Sequence, residues 1–242
     1  MPTITAEKKP SFFSRTAVDY RRLRLHNLTS TEFRHLLLLL YWPLYGLLFM
    51  YVEKFYPVEH YRVMYSPLDD LIPFNELFVI PYIFWFAYLV LMHLYTLLYD
   101  IPSFKKLMGF IMITYSVTIL IYFLFPTCQE LRPLTFQRDN FLTRFMAGFY
   151  HFDTNTNVCP SIHVIGSLAV MFTGLHCKRL KGPGWKLGFL VSAILICLST
   201  VFLKQHSVID VFAALPLCLI AYYLCFLHKR KAIPAPIGKD NL

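Results

Sequence analysis

Charge is what this sequence has least of. Only 15% of its 242 residues are Asp, Glu, Lys or Arg, while 57% are hydrophobic; soluble domains carry about 25% charged and about 45–50% apolar residues. The shortage excludes an ordinary water-soluble domain and points to a chain that uses the bilayer as its solvent, in line with a mean hydropathy of +0.50. A Gly/Ser-rich linker and a repeat of fixed period are also missing, so nothing divides the apolar part into separate modules. No small-residue cleavage site precedes the first long apolar run, near Leu36, and that run is expected to remain as a helix. The six cysteines lack a metal-binding spacing: Cys177, Cys197, Cys218 and Cys225 lie in apolar runs as small core residues. No metal and no cofactor is expected.

What charge there is has one dominant sign. The formal net charge is +9, but the basic residues fall in short blocks between apolar runs, as in the cytoplasmic loops of membrane proteins, and not along one nucleic-acid-binding face. A nucleic-acid partner is therefore excluded. The apolar runs are Leu36 to Val52, Leu77 to Tyr99, Leu107 to Phe125, Ile162 to Cys177, Leu187 to Leu203 and Val208 to Leu227. A spanning helix needs about 17 to 25 residues, so the fourth run, at 16, is marginal.

The expected fold is all-α, a polytopic membrane protein with a bundle of six transmembrane helices. Of the 23 Lys and Arg, 17 fall in the N-terminal segment, the second and fourth loops (Lys105 and Lys106; Lys178 to Lys186) and the C-terminal tail. The positive-inside rule then places both termini in the cytoplasm. Three regions result: a basic segment 1–34, lying on an anionic membrane surface or disordered; the six-helix domain 35–228; and a basic tail 229–242. Thr29 and Glu32 fit a capping box that would start the first helix. The fifth and sixth runs are so close that a tight hairpin is expected, with Lys204 and His206 at its tip. Phe141 to Phe152, apolar and aromatic, reads as a short interfacial helix.

On this topology the loop from Thr127 to Ser161 and the hairpin tip face outward together, and they hold the polar residues that burial makes costly. His206 and Asp210 are spaced i, i+4, so the carboxylate can hold one imidazole nitrogen and leave the other free as nucleophile or base; a pair that merely offsets its own burial has the same spacing. Pro160, Ser161 and His163 open the fourth helix, where free N–H groups and the macrodipole favour an anion. Ser161 also reads as a plain N-cap, whereas His163 has no structural job. Arg132-Pro133 follows the third helix; its planar fork suits a pair of phosphate oxygens, although a solvated charge is the commoner use of a loop arginine. Cys128 and Cys159 end the same loop, either as a disulfide or as two free thiols.

Together these motifs resemble the type 2 phosphatidic acid phosphatase superfamily, whose pattern is Lys-x6-Arg-Pro, Pro-Ser-x-His and Ser-Arg-x5-His-x3-Asp on a six-helix core. The resemblance runs from the first helix to Leu227. It implies that His206 attacks phosphorus to form a phosphohistidine, that Asp210 orients it, and that His163 protonates the leaving oxygen and later activates the acceptor. Arg132, Ser161 and Ser199 would bind phosphate oxygens, with no metal required. The substrate implied is a lipid phosphate or phospholipid in the bilayer, and the location the plasma membrane, with the site facing outward.

This sequence departs from the family pattern twice: Phe125 stands at the Lys position and Thr200 at the Arg position. Lys204, i+4 from Thr200 if the fifth helix continues, is a candidate replacement among the phosphate-binding residues. The lead-in Phe-Pro-Thr and the missing Arg are similar to the inositol phosphorylceramide synthase branch, which transfers a phospho-headgroup to an alcohol. Two rivals come from other classes: a non-catalytic lipid-binding member, favoured by the two lost cations, and a proton-coupled transporter, disfavoured because Asp210 lies near a helix end.

Overall fold

The computed structural model describes residues 16–228; the expectations for segment 1–15, with Lys8, Lys9 and Arg15, and for tail 229–242 lie outside them. The described chain is mostly helical. A 3-10 stretch Arg34–Leu40 runs into α1 (Tyr41–Lys54); then follow β1 (Arg62–Val63), α2 (Pro67–Leu71), a 3-10 turn Glu76–Phe78 leading into α3 (Val79–Tyr99), and α4 (Ile101–Leu124). After these come β2 (Thr127–Cys128), α5 (Phe141–Phe152), α6 (Ile162–His176), α7 (Pro183–Phe202) and α8 (Val208–Tyr222), which ends in a π-helical turn, Tyr223–Leu227.

Among the described residues, five helical stretches are long and apolar enough to cross a membrane: Arg34–Lys54, Glu76–Tyr99, Ile101–Leu124, Pro183–Phe202 and Val208–Leu227. The sixth apolar helix, Ile162–His176, has only 15 residues. It is nevertheless the centre of the molecule, packed against α3, α4, α7 and α8. Small residues make that possible: Gly166, Ser167, Ala169 and Gly174 are all buried on it, and small side chains let helices approach closely where no hydrophobic gradient drives them together. At Gly166 an added Cβ would come 2.9 Å from both Trp85 Nε1 and Tyr115 Oη. A helix wrapped by others does not have to match the bilayer thickness itself.

Polar side chains on the apolar helices bond mostly to their own helices. Thr96 donates to Met92 O at 2.7 Å, Thr114 to Phe110 O at 2.8 Å and Thr173 to Ala169 O at 2.7 Å, and His93 Nδ1 lies 2.7 Å from Leu89 O. These bonds meet the demand for internal satisfaction in a medium without water.

Helix starts are written locally. Asp100 caps α4 through Ser103 N at 3.1 Å, and Asn140 caps α5 through Thr143 N at 3.0 Å. Ser207 and Asp210 form a capping box at α8, as Ser66 and Asp69 do at α2. The anticipated Thr29–Glu32 box does not form: the first rod begins in 3-10 geometry at Arg34, with Phe33 as its N-cap and no side-chain bond there.

Two further expectations change, and two segments gain detail. α3 and α4 are separated by Asp100 alone, so Lys105 and Lys106 belong to a helix and not to a loop. α7 and α8 each pack on α6, α7 also on α3 and α8 also on α4, rather than mainly on each other, so the short Leu203–Ser207 link does not make a packed hairpin. The part of the basic N-terminal segment that is described docks on the end of α3: Ala17 N donates to Leu98 O at 2.7 Å and the Tyr20 hydroxyl to Leu97 O at 2.7 Å. Cys128 and Cys159 are free thiols. Cys128 pairs with Thr156 in an antiparallel bridge, which sets Cys159 three positions beyond it.

The loop face is tied together by other bonds. Parallel pairing of β1 with β2 joins Arg62 to Thr127 and Val63 to Cys128. The Thr127 hydroxyl accepts from Val158 N and Cys159 N at 3.2 and 3.1 Å. Glu53, at the end of α1, accepts from the hydroxyls of Thr154 and Thr156 and from Asn157 Nδ2, the last at 2.7 Å.

Candidate active site

His206 owes its position to the way α7 stops. The helix ends at Phe202, Lys204 takes a left-handed φ of 53°, and Gln205 N and His206 N both donate to Thr200 O, at 2.9 and 3.1 Å. The chain then enters α8 through Ser207. Asp210 serves this start twice over: its Oδ2 accepts from Ser207 N at 3.0 Å and lies 3.2 Å from His206 Nδ1. The same carboxylate therefore caps the helix, where the macrodipole favours a negative charge, and fixes the imidazole. It is fully buried. Ser161 N donates to Asp210 O at 3.1 Å, joining the start of α6 to the first turn of α8. The Cys159 thiol packs against this carboxylate, and burial, reinforced by Asp210, pushes it up to about 12.

His163, the second residue of α6, brings the other imidazole. Its ring lies 4.7 Å from that of Tyr82 and 4.5 Å from that of Trp85, and its Nδ1 is 3.4 Å from His206 Nε2. Residues 43 positions apart thus form a chain of groups, His163, His206 and Asp210.

Arg132 is engaged on several sides. Nη1 donates to Tyr150 O at 3.0 Å and Asp153 O at 2.9 Å, and Nη2 to Thr154 O at 2.8 Å and Gln205 Oε1 at 2.6 Å. The guanidinium carbon sits 4.6 Å from the centre of the Tyr150 ring, and Asp153 Oδ2 lies 4.0 Å from Nη2. Burial lowers the Arg132 pKa, against the pull of Asp153, and raises that of Asp153, against Arg132 and His206; a guanidinium remains charged throughout. Arg132 thus holds residues 150–154 beside His206, while its Nε has no partner.

The other phosphate-binding candidates divide. Ser161 Oγ is buried without a partner at the α6 start. Ser199 Oγ donates to Ile196 O at 2.6 Å, inside its own helix. Lys204 is not i+4 from Thr200 on a continuing helix, because α7 has already ended. Its Nζ donates to Asp69 O at 2.6 Å, and it lines a separate cavity of about 810 Å³ with Asp69, Asp70 and Glu130. Burial lowers its pKa, and Asp69 and Asp70 oppose that. The Thr200 hydroxyl donates to Cys197 O at 2.8 Å, and the Phe125 ring lies under Arg62 at 5.6 Å.

Sequence reasoning missed several participants. Asp69 is a tertiary cap for α8, accepting from Ser207 Oγ at 2.6 Å and from Val208 N at 2.8 Å. Its local signal was the Ser66–Asp69 capping box, which does not say that the second oxygen serves another helix. Gln205, beside His206, orients Arg132; Tyr82 and Trp85 flank His163. Apolar spans hide such aromatics among core residues.

The chain matches no family model, curated protein or solved structure. An imidazole held on one nitrogen by a buried carboxylate offers its other nitrogen as a nucleophile, and a second imidazole at hydrogen-bonding distance can carry the proton.

Proposed function

We propose that the protein is an integral membrane enzyme that cleaves or transfers a lipid phosphoester through a phosphohistidine on His206, as a member of the type 2 phosphatidic acid phosphatase superfamily. The observation that carries this reading is the contact of His163 Nδ1 with His206 Nε2 at 3.4 Å while His206 Nδ1 lies 3.2 Å from Asp210. In the proposed topology Ile162–His176 is a sixth span, both termini are cytoplasmic, and the site faces outward at the plasma membrane. The placing of the basic blocks in the sequence supports that orientation.

With the Nδ1 proton held toward Asp210, the Nε2 lone pair of His206 attacks phosphorus. The P–N bond forms as the P–O bond to the leaving alcohol breaks, and His163, as imidazolium, gives its proton to the departing oxygen. In the second half His163 takes a proton from water or an acceptor alcohol, whose oxygen attacks phosphorus and releases His206. The 3.4 Å ring contact is a resting arrangement, and the phosphoryl group replaces it on entry. Arg132 and the α6 N-terminus stabilise the charge gathering on the equatorial oxygens. A headgroup transferase of the inositol phosphorylceramide synthase type uses the same steps with an alcohol acceptor, and the absence of a cation at Phe125 and Thr200 favours that branch.

Acid-labile label from a ³²P-labelled phospholipid, trapped on the peptide containing residue 206 and lost in His206→Ala, is the expected result. Full activity of His206→Ala, or label on another residue, overturns the assignment. Product analysis with water, glycerol, inositol and diacylglycerol as acceptors separates hydrolysis from transfer.

A further inference from the structure

Between α3 and α7 an apolar cavity of about 560 Å³ runs toward the end of the bundle away from the histidines. Its volume is that of a small-molecule site, about 300 to 1,000 Å³, but its shape is drawn out. On α3 it is lined from Phe84 to Tyr99 and on α7 from Trp185 to Ser192. The α3 wall alone is about 22 Å long at 1.5 Å per residue, more than the about 15 Å that one leaflet gives to a hydrocarbon core. Tyr88, Met92 and Leu180 are buried along it, while Leu91, Leu94 and Trp185 are exposed. At Gly188 an added Cβ would meet nothing within 4 Å. The cavity is therefore a groove, with a closed floor and a side open to the bilayer.

The two helices meet closely nearer the histidines. Phe78 stacks on Phe202 with ring centres 4.3 Å apart, Asn75 N donates to Phe202 O at 3.1 Å, and the Tyr88 hydroxyl donates to Phe189 O at 3.0 Å. Toward Tyr99 and Trp185 the space between them is the groove, so its mouth lies at the far end.

That mouth is basic. Among the described residues this end carries ten Lys and Arg: four within residues 21–34, Lys105, Lys106, and four within 178–186. The acids there are three, Asp19, Glu32 and Asp100. Lys181 follows the lining residue Leu180 and Lys186 follows Trp185, and both are exposed. Cys177 Sγ donates to Asp100 Oδ2 at 3.3 Å, which brings the exposed Lys178 beside the end of α3, where Tyr99 lines the groove. Asp100 is committed to this thiol and to its cap on Ser103 N. The N-terminal segment adds Arg21 and Arg22, since Ala17 N donates at 2.7 Å to the carbonyl of Leu98, another lining residue. A long apolar slot that ends among cations is complementary to an acyl chain that ends in an anion.

We infer that the α3–α7 groove binds an anionic phospholipid, with an acyl chain along α3 and the phosphate among Lys178, Lys181 and Lys186. This lipid site is separate from the paired histidines and does not rest on the phosphoester reading.

The test uses the full chain in detergent micelles, titrated with phosphatidylglycerol and with phosphatidylcholine of the same acyl chains and read by native mass spectrometry. One phosphatidylglycerol per chain should bind at least about tenfold more tightly than phosphatidylcholine, since each Lys near an anionic headgroup is worth about fivefold. A phosphatidylglycerol carrying a diazirine in its acyl chain should label peptides from residues 84–99 and 185–192. Replacing the three lysines together (Lys178→Gln, Lys181→Gln, Lys186→Gln) should bring the two lipids to within about twofold. Gly188→Phe, which sets a ring in the groove, should weaken phosphatidylglycerol at least about fivefold through lost chain burial. Equal binding of the two lipids by the wild-type protein, or labelling confined to other segments, overturns the inference without reference to any variant. With the variants folded by circular dichroism, a preference that survives the lysine replacements overturns the headgroup assignment, and unchanged binding in Gly188→Phe overturns the groove.

Discussion

The two ends of the helical bundle are built from similar apolar helices but use their polar residues differently. At the end holding His206, buried and half-buried polar side chains link segments far apart in sequence: Glu53 to residues 154–157, Asp69 to Ser207, Arg132 to Gln205, His163 to His206. At the other end α3 and α7 enclose an apolar cavity of about 560 Å³ lined by Leu91, Met92, Phe189 and Trp185. The charges near it, Lys178, Lys181 and Lys186, are exposed. Charges that reach water need no partner, whereas charges held in the bundle must find one. The other end has cross-fold bonds too, Tyr20 with His35 and Cys177 with Asp100, so what marks the end where chemistry is proposed is the joined set of His163, His206 and Asp210 and not polarity by itself.

The largest blow to this contrast is His206→Ala, expected to lower turnover by about 10⁴-fold or more if the imidazole is the nucleophile, measured as product release from a phospholipid in detergent micelles. Activity within tenfold of wild type would remove the functional distinction between the ends. Next comes Asp69→Ala, which strips Ser207 Oγ and Val208 N of their acceptor. A loss of roughly 2–3 kcal/mol is expected, read as a fall in Tm together with reduced turnover; an unchanged Tm would show that the tertiary cap carries no weight. Ser192→Leu in the apolar cavity should change stability by less than about 0.5 kcal/mol and leave turnover alone. Smallest of all, Lys204→Ala should alter turnover less than about twofold, because its ammonium serves Asp69 O and not the imidazoles. A hundredfold loss would return Lys204 to the phosphate site.

Much of the fold was legible in the sequence. The six apolar runs agree with the observed helices to within a few residues at most ends, because apolar length is a property of consecutive residues. The exception at the α4 start is instructive. Lys105 and Lys106 interrupt the hydropathy, yet the helix includes them, since Asp100 caps it and Pro102 suits a first turn. The i, i+4 relation of His206 to Asp210 was legible for the same reason: one helical turn places both on one face.

What was hidden depends on how helices meet. Nothing local says that α6, from the shortest of the six apolar runs, is the one the others surround, or that α7 and α8 turn to it instead of to each other. Lys204 was expected to continue a helical face; a left-handed residue at the helix end swung it to Asp69. Gln205 and Tyr82 read as ordinary polar or core residues until the fold set them beside Arg132 and His163.

The sequence by itself determined that this protein is helical, apolar enough for a bilayer, and equipped with a His-x3-Asp pair at a helix start, because each follows from neighbouring residues and the period of one helix. Tertiary structure alone decided which distant groups come together, how Arg132 is held, and that Lys204 bonds to Asp69. Those are outcomes of packing, where the bond a side chain makes depends on which other helix presents a partner within about 3 Å.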